Sequence, residues 1–355
     1  MKRIILLAVL TASLLGGGCK AFRTLTDQKK PASQGKPYEL IVVCNQRLWD
    51  GELGDTLRSV LRTPVPYLSQ AEPHFDLYRV SEQGFTRMVV QHRNILKVVV
   101  DPAAQKSAVA VQYDLEAAPQ AVLTLQGPSE KALTAYVSAN RDNLIYLLEK
   151  TERDRTVDYA RRFGATQLEE LIRQKFGVEM HIPQGYKLRS EGDDFLWISY
   201  EYPTASQGFF LYQYPYAGAA SLSPGALLDA RNRFAARIPG PSDGSYMTTS
   251  EAYEPDYRMF RLEGRLWAEL RGFWDVYGDF MGGPFVSYST VDTAAGKVFT
   301  FDAYVYSPKL GKRNFMHGVE HLLYTIRFSE DADKTQEPVS VCLLYTSPSP
   351  RDRTR

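Results

Sequence analysis

"YRMFRLEGRLWAELRGFWDVYGDFMGGPFVSYSTV", Tyr257 to Val291, decides how the second half of this chain is built. Tyr257 to Leu262 and Arg265 to Val276 are runs rich in aromatic and β-branched residues, which favour strands. Glu263-Gly264 between them is a two-residue hairpin turn. Glycines and an acid interrupt the pattern after Val276, and Pro284 to Val291 reads as the next strand. Upstream, "VEMHIP", "YKLRSE", "FLWISYEY" and "GFFLYQYPY" (from Val178 to Tyr216) follow one another with turn signals between. "SPGALLDARNRFAARIPGP" is a punctuated helix, with Ser223 at the N-cap, Pro224 at the first position and Pro239-Gly240-Pro241 as the stop. Downstream come "KVFTFDAYVY" and a last helix from about Lys312 to Arg327. Strands, a helix, strands and a helix in that order fit an antiparallel sheet with helices on one or both faces.

The first half starts on "YELIVV" (Tyr38 to Val43), a buried-strand run. A helix follows, with Leu53, Leu57, Val60 and Leu61 at helical spacing, and "TPVPYLSQAEP" breaks it. "FDLYRV" reads as a strand, and "SEQGFTRMVVQHR" (Ser81 to Arg93) as a short helix that Ser81 caps. "NILKVVVD" and "AVLTLQGP" are further strands. Ser129 caps a long helical stretch with Leu133, Tyr136, Val137, Leu144, Leu147 and Leu148 on its apolar face, broken near Gly164 and ending about Phe176. The expected class is α+β: two α/β sandwich-like domains joined by a long helical segment, the second with a mainly antiparallel sheet. That second half resembles the PsbP-like sandwich in element order. The expected domains are 38–176 and 177–329, with a tail over 330–341.

The chain ends carry different information. Lys2 and Arg3, an apolar run from Ile4 to Leu15, and Gly16-Gly17-Gly18 before Cys19 have the layout of a secretory signal ending in a lipobox. The resemblance to bacterial lipoproteins implies cleavage after residue 18, a lipid on Cys19 and a flexible tether over 19–37; dual acylation is what stable anchoring needs. "CLLYTSPSPRDRTR" (Cys342 to Arg355) resembles the translation of a transposon-end sequencing adapter, so 342–355 is read as an artefact. The whole chain has 42 basic and 41 acidic side chains. Setting both ends aside turns the balance mildly acidic, which excludes the basic stripe of a nucleic-acid binder. Of the Cys residues only Cys44 is then left, a small buried residue at the end of an apolar run.

Two patterns could carry chemistry. "HGVEH" (His317 to His321) matches the inverted zinc-protease spacing, with Glu320 as base. Helical geometry places Phe315, Val319, Leu322 and Ile326 on the buried face, with His317 and His321 opposite, toward solvent. In the opening stretch Glu269, Asp275 and Asp279 lie among aromatics with Trp274, the furniture of a glycan cleft. Ser242 lacks a nucleophile-elbow context, no phosphate loop or Cys/His cluster is present in the sequence, and no cofactor is implied.

"YELIVVCNQRLWDGELGDTLRSVLRTPVPYLSQAEPHFD", "FGVEMHIP", "IPGPSDGSYM" and "GDFMGGPFVSYS" through "KRNFMHGVEHLLYTIRF" resemble the Bacteroidetes lipoproteins of domain-of-unknown-function family 4837, from about Tyr38 to Phe328. The resemblance implies an envelope lipoprotein without an assigned activity. Lys20 after the lipidated Cys, and a basic rather than acidic "KAFRTLTDQKK", imply an outer-membrane protein facing the periplasm. The expected function is non-enzymatic: a membrane-anchored module binding an envelope protein or a cell-wall glycan, with Glu269, Trp274, Asp275 and Asp279 as candidate ligand-binding residues. The alternatives are a glycan hydrolase using Asp275 and Asp279, or a zinc peptidase using His317, Glu320 and His321.

Overall fold

The computed structural model describes residues 30–328, so Cys19, the signal segment and the residues from 329 on lie outside the described residues. The described chain forms two compact units, residues 30–56 with 77–139 and residues 57–76 with 140–328. No helix among the described residues is long and apolar enough to cross a membrane.

The first unit is built on β1 (Glu39–Val43), β2 (Asp76–Val80), β3 (Asn94–Val100), β4 (Ala108–Tyr113) and β5 (Ala121–Gly127). They form a five-stranded sheet in the order β2-β1-β3-β5-β4. β1, β3 and β5 run parallel and β4 turns back along β5. The apolar runs of the three parallel strands supply the core residues Leu40, Val42, Leu96, Val98, Leu123 and Leu125. Helices α1 (Gln46–Asp50) and α3 (Glu130–Ala139) belong to this unit, and α2 (Glu52–Leu61) spans the division between residues 56 and 57. Asn45 caps α1, accepting from Leu48 N–H at 2.9 Å, and Ser129 caps α3 as the sequence predicts. The helix expected over 81–93 is not formed. Ser81 Oγ instead accepts from Gly84 N–H at 3.1 Å in a turn, and the segment keeps only one 3₁₀ turn, Val89–Gln91. Phe85 and Val89 pack against Ile41, Val43, Ile95 and Val122, and that contact with the sheet overrides the local pattern.

The second unit contains α4 (Arg141–Arg162), α5 (Thr166–Phe176), β6 (Val178–Glu179), β7 (Lys187–Gly192), β8 (Phe195–Glu201), β9 (Ser206–Pro215), α6 (Pro224–Ala235), β10 (Tyr246–Thr249), β11 (Asp256–Leu262), β12 (Arg265–Tyr277), β13 (Gly282–Asp292), β14 (Lys297–Tyr306), α7 (Arg313–Glu320) and β15 (Arg327–Phe328). The long helical stretch read from Ser129 stops at Ala139 and restarts at Arg141. The helices from Arg141 to Phe176 are built into the second unit, where the sequence reading places them at the end of the first domain.

An eight-stranded sheet runs β10-β12-β13-β14-β9-β8-β7, with β11 also on β12 and every pairing antiparallel. Glu263-Gly264 is the expected hairpin turn; φ is 52° and 78° there, the two left-handed residues that a type I′ turn needs. Ser223 caps α6 with Pro224 at its first position, also as read. Side-chain alternation sends Phe209, Leu211, Phe299, Phe301 and Ala303 to one face of the sheet, against Phe176 of α5 and Met316 and Val319 of α7. It sends Phe210, Tyr212, Val298, Trp274 and Tyr304 to the other, against Leu227 and Phe234 of α6. The fold is α+β, and the second unit is a sandwich with helices on both sides of a mostly antiparallel sheet.

Candidate functional site

The acids of the opening stretch do not converge. Glu269 and Asp275 lie on the same face of β12, but six residues of extended strand separate them by about 20 Å. A glycosidase pair needs about 5–10 Å. Glu269 is buried at 3 % exposure and carries two guanidinium partners, Arg258 at 2.6 Å and Arg271 at 3.0 Å. Asp275 is exposed. Asp279 accepts from Ser242 Oγ at 2.5 Å and from Phe280 N–H at 2.6 Å. The Ser242 hydroxyl first, then that N–H, hold its carboxyl below the usual range. A general acid for glycoside cleavage needs the opposite shift. Trp274 is no surface platform either: it is buried, edge-on to Tyr304 at 5.7 Å, and its indole N–H donates to Val305 O at 3.2 Å. β12 is packed on both faces over most of its length, so its alternation carries no polar side from which to pick the exposed residues.

The histidines are also placed differently from the sequence expectation. His317 and His321 are buried, as is Glu320 between them. The apolar stripe of α7 does face the sheet, but α4 lies against the other side. His321 Nδ1 is 3.3 Å from Thr156 Oγ1 of α4, and the Arg153 guanidinium of α4 sits 4.2 Å over the Tyr324 ring. The two imidazoles stack with centroids 5.7 Å apart. Burial, then the neighbouring His317, pushes His321 down to about 3, so it is neutral at ordinary pH.

What these residues form is a buried network of charge. Arg271 lies between Glu269 and Glu320, donates to both carboxylates, and donates to Tyr288 Oη at 3.1 Å. The Tyr288 hydroxyl donates to Glu320 in turn. His317 Nδ1 approaches Glu320 at 3.7 Å, and His74 meets Glu149 of α4 at 2.8 Å. Burial alone would raise Glu320; Arg271 and then His317 outweigh it and hold the carboxyl well below its ordinary range. Burial and the two flanking carboxylates drive Tyr288 well up. Among the described residues no three His, Cys, Asp or Glu side chains come together as a metal-ligand set. Glu320, the base of the zinc-protease reading, is committed to Arg271 and Tyr288. Half of this network was legible: a two-residue turn at Glu263-Gly264 sets the register that puts Arg258 opposite Glu269. The contribution of α4, more than a hundred residues upstream in the chain, had no local signal.

At the end of β12 the large side chains turn outward. Tyr277 is exposed and stacks on Tyr246 with centroids 5.0 Å apart and planes 24° from parallel, and Phe280 is fully exposed. The Asp279–Ser242 bond pins the loop that presents Phe280.

The class so defined is a two-unit α+β chain whose best-placed acids are tied into ion pairs and hydrogen bonds. Residues 165–325 match the model of a domain of unknown function, DUF4837. A second domain of unknown function, DUF8532, matches residues 33–160, so the first family covers the second unit's sheet rather than the full span from Tyr38 to Phe328. No curated protein matches the chain. Among solved structures, the chain is similar to LpqN of Mycobacterium tuberculosis, described as involved in cell envelope biogenesis, at 15 % identity and a TM-score of 0.26, covering 42 % of this chain and 82 % of that one. The human StarD13 (DLC2) lipid transfer and protein localization domain matches at 12 % identity and a TM-score of 0.22, covering 45 % of this chain and 90 % of that one.

Proposed function

We propose that this protein is a membrane-anchored, non-enzymatic binding or assembly module of the bacterial cell envelope, of the Bacteroidetes lipoprotein type. Lipid on Cys19 holds it in the outer membrane with both units in the periplasm. The carrying observation is the commitment of the acids: Glu269 is paired to two arginines and Asp279 is hydrogen-bonded below its usual range, while the aromatic end of β12 is left to solvent. Such a surface suits recognition. The partner is an envelope protein or a cell-wall glycan, met at Tyr246, Tyr277 and Phe280.

Crosslinking and pull-down from intact cells test the reading, with Asp279→Asn and Phe280→Ala beside the native lipoprotein. One partner recovered equally by the native chain and Asp279→Asn, and depleted by Phe280→Ala, is the expected result. Glycan fragments enriched or lengthened by Asp279→Asn would establish hydrolysis instead. Cys19→Ala should leave the membrane fraction.

A further inference from the structure

Beyond Arg271 the same face of β12 comes out to solvent. Phe273, Asp275 and Tyr277 follow on it, the first half-buried and the other two exposed. Antiparallel pairing sets Tyr246 and Thr248 of β10 beside Tyr277 and Asp275, and Gly282 of β13 on the other side of Asp275. Two aromatic platforms therefore lie in line on one sheet face. Tyr277 and Tyr246 make the first. Phe273 makes the second, with the Tyr253 ring 5.1 Å away and the Tyr67 ring 6.0 Å away. Four residues of extended strand put Phe273 and Tyr277 about 13 Å apart. Tyr67 sits at φ 57°, a left-handed conformation that a bulky residue keeps only where its surroundings hold it, and its hydroxyl donates to the Asp256 carboxylate. The second platform is thus held in place by the fold itself.

Between the platforms the floor is short and polar: Thr248, Asp275 and Gly282. A Cβ at Gly282 would come within 2.7 Å of Asp275 Oδ1, so the bare glycine leaves the carboxylate its room. Nearby acids are engaged: Glu269 by two arginines, Asp279 by Ser242 and Asp256 by Tyr67. Asp275 differs, with no hydrogen bond or ion pair among the described residues.

We propose that this trough binds a neutral glycan chain of β-linked pyranoses, with one sugar ring on each aromatic platform and the hydroxyl or amide donors between them on Asp275. The proposal rests on the binding-module reading above and names its ligand. Equatorially substituted pyranoses have apolar C–H faces and polar rims, so a surface that runs aromatic, polar, aromatic matches them along the chain. The free carboxylate accepts from the O–H and N–H groups that such a chain carries, and the Thr248 hydroxyl both donates and accepts. A protein partner would bury Asp275 at the middle of its interface, where charge is depleted because desolvating it is costly. An acidic glycan or a phosphorylated lipid would set like charge against it.

The test is calorimetric titration of the full-length chain, in a detergent without a sugar headgroup, with cellotetraose and chitotetraose and with the corresponding disaccharides. A tetrasaccharide reaches both platforms and a disaccharide only one, so at least one tetrasaccharide should bind about tenfold tighter than its disaccharide. Tyr277→Ala, Tyr253→Ala and Asp275→Ala should each weaken that tetrasaccharide about tenfold with an unchanged circular dichroism spectrum. Tyr159→Ala, which removes an exposed aromatic of α4, should leave it unchanged. Failure of both tetrasaccharides to bind, or equal binding by Asp275→Ala, overturns the glycan assignment. A protein partner still depleted by Phe280→Ala in the pull-down would then leave the binding-module reading standing. Asp275-dependent binding of oligolysine in place of either sugar overturns the assignment likewise. A tetrasaccharide bound in the trough and then shortened would uphold the site and end the non-enzymatic reading.

Discussion

The two faces of the larger sheet bury charge in different ways. Under α6 there is one pair: Arg231 and Asp302, both with side chains at 0 % exposure and 3.0 Å apart, the guanidinium 3.5 Å over the Phe285 ring and bonded to Thr249 Oγ1 at 2.8 Å. On the face of α4 and α7 there is a network, in which Arg271, Glu269, Glu320 and Tyr288 share one another and the exposed Arg258 joins at Glu269. The difference shows in protonation. Asp302 has Arg231 and then the Ser287 hydroxyl against complete burial, and burial wins: its carboxyl is pushed up to about 6. Glu320 has Arg271, Tyr288 and His317, and its carboxyl goes well down. A buried carboxylate is driven below its ordinary range here only where the opposing charges outweigh burial, in keeping with the cost of desolvating an ion.

The harshest way to break the comparison is Arg271→Met. It strands Glu269 and Glu320 together, and removing one partner of a buried ion pair costs about 3–5 kcal/mol. Chemical denaturation should read a loss at or above that range. On the other face, Asp302→Leu alone should cost a similar 3–5 kcal/mol, whereas Arg231→Met with Asp302→Leu should fall within about 1 kcal/mol of the native chain or exceed it. A double variant as unstable as the single would mean the pair stabilises the α6 face on its own account.

The subtlest effect is in pH dependence, where the two faces oppose each other. His321 titrates at about 3 in the folded protein against an ordinary 6.5. Its stabilising contribution is present above pH 6.5 and is lost as pH falls, because the unfolded chain takes up the proton first. Asp302 at about 6 against 3.8 acts in reverse: stability falls as pH rises from about 4 to about 6. His321→Phe should flatten the acid limb of the stability curve by up to roughly 1.4 kcal/mol per pH unit, and Arg231→Met with Asp302→Leu should steepen it. Denaturant midpoints measured from pH 4 to 6.5 separate the two. Unchanged slopes would mean that neither group titrates as its burial dictates.

Sequence reading went furthest where structure is local. The Glu263-Gly264 turn, the Ser223-Pro224 helix start and the break near Gly164 follow from backbone preferences of the residues themselves. It failed where a distant element decides. One apolar stripe on α7 correctly marks the face toward the sheet, yet nothing near His317 says that α4 covers the other side. Trp274 and Asp275 are adjacent and go to opposite environments, and only the β12–β13 pairing with α6 behind it tells which is inside. The charge network is half local, since the hairpin register gives Arg258 and Glu269. Its other half depends on Glu320 and Tyr288, brought to Arg271 by tertiary packing.

The seam of the large sheet has a consequence for how fast the chain can fold. β7 to β9 form one meander and β11 to β14 another, each closed by short turns. They join only where β9 meets β14, with Ser206 opposite Tyr306 and Pro215 opposite Lys297. Closing that seam fixes a loop on the order of a hundred residues, containing α6 and half the sheet, before any seam contact is gained. Each meander can assemble from neighbours in sequence, so their union across β9 and β14 sets the pace for this unit.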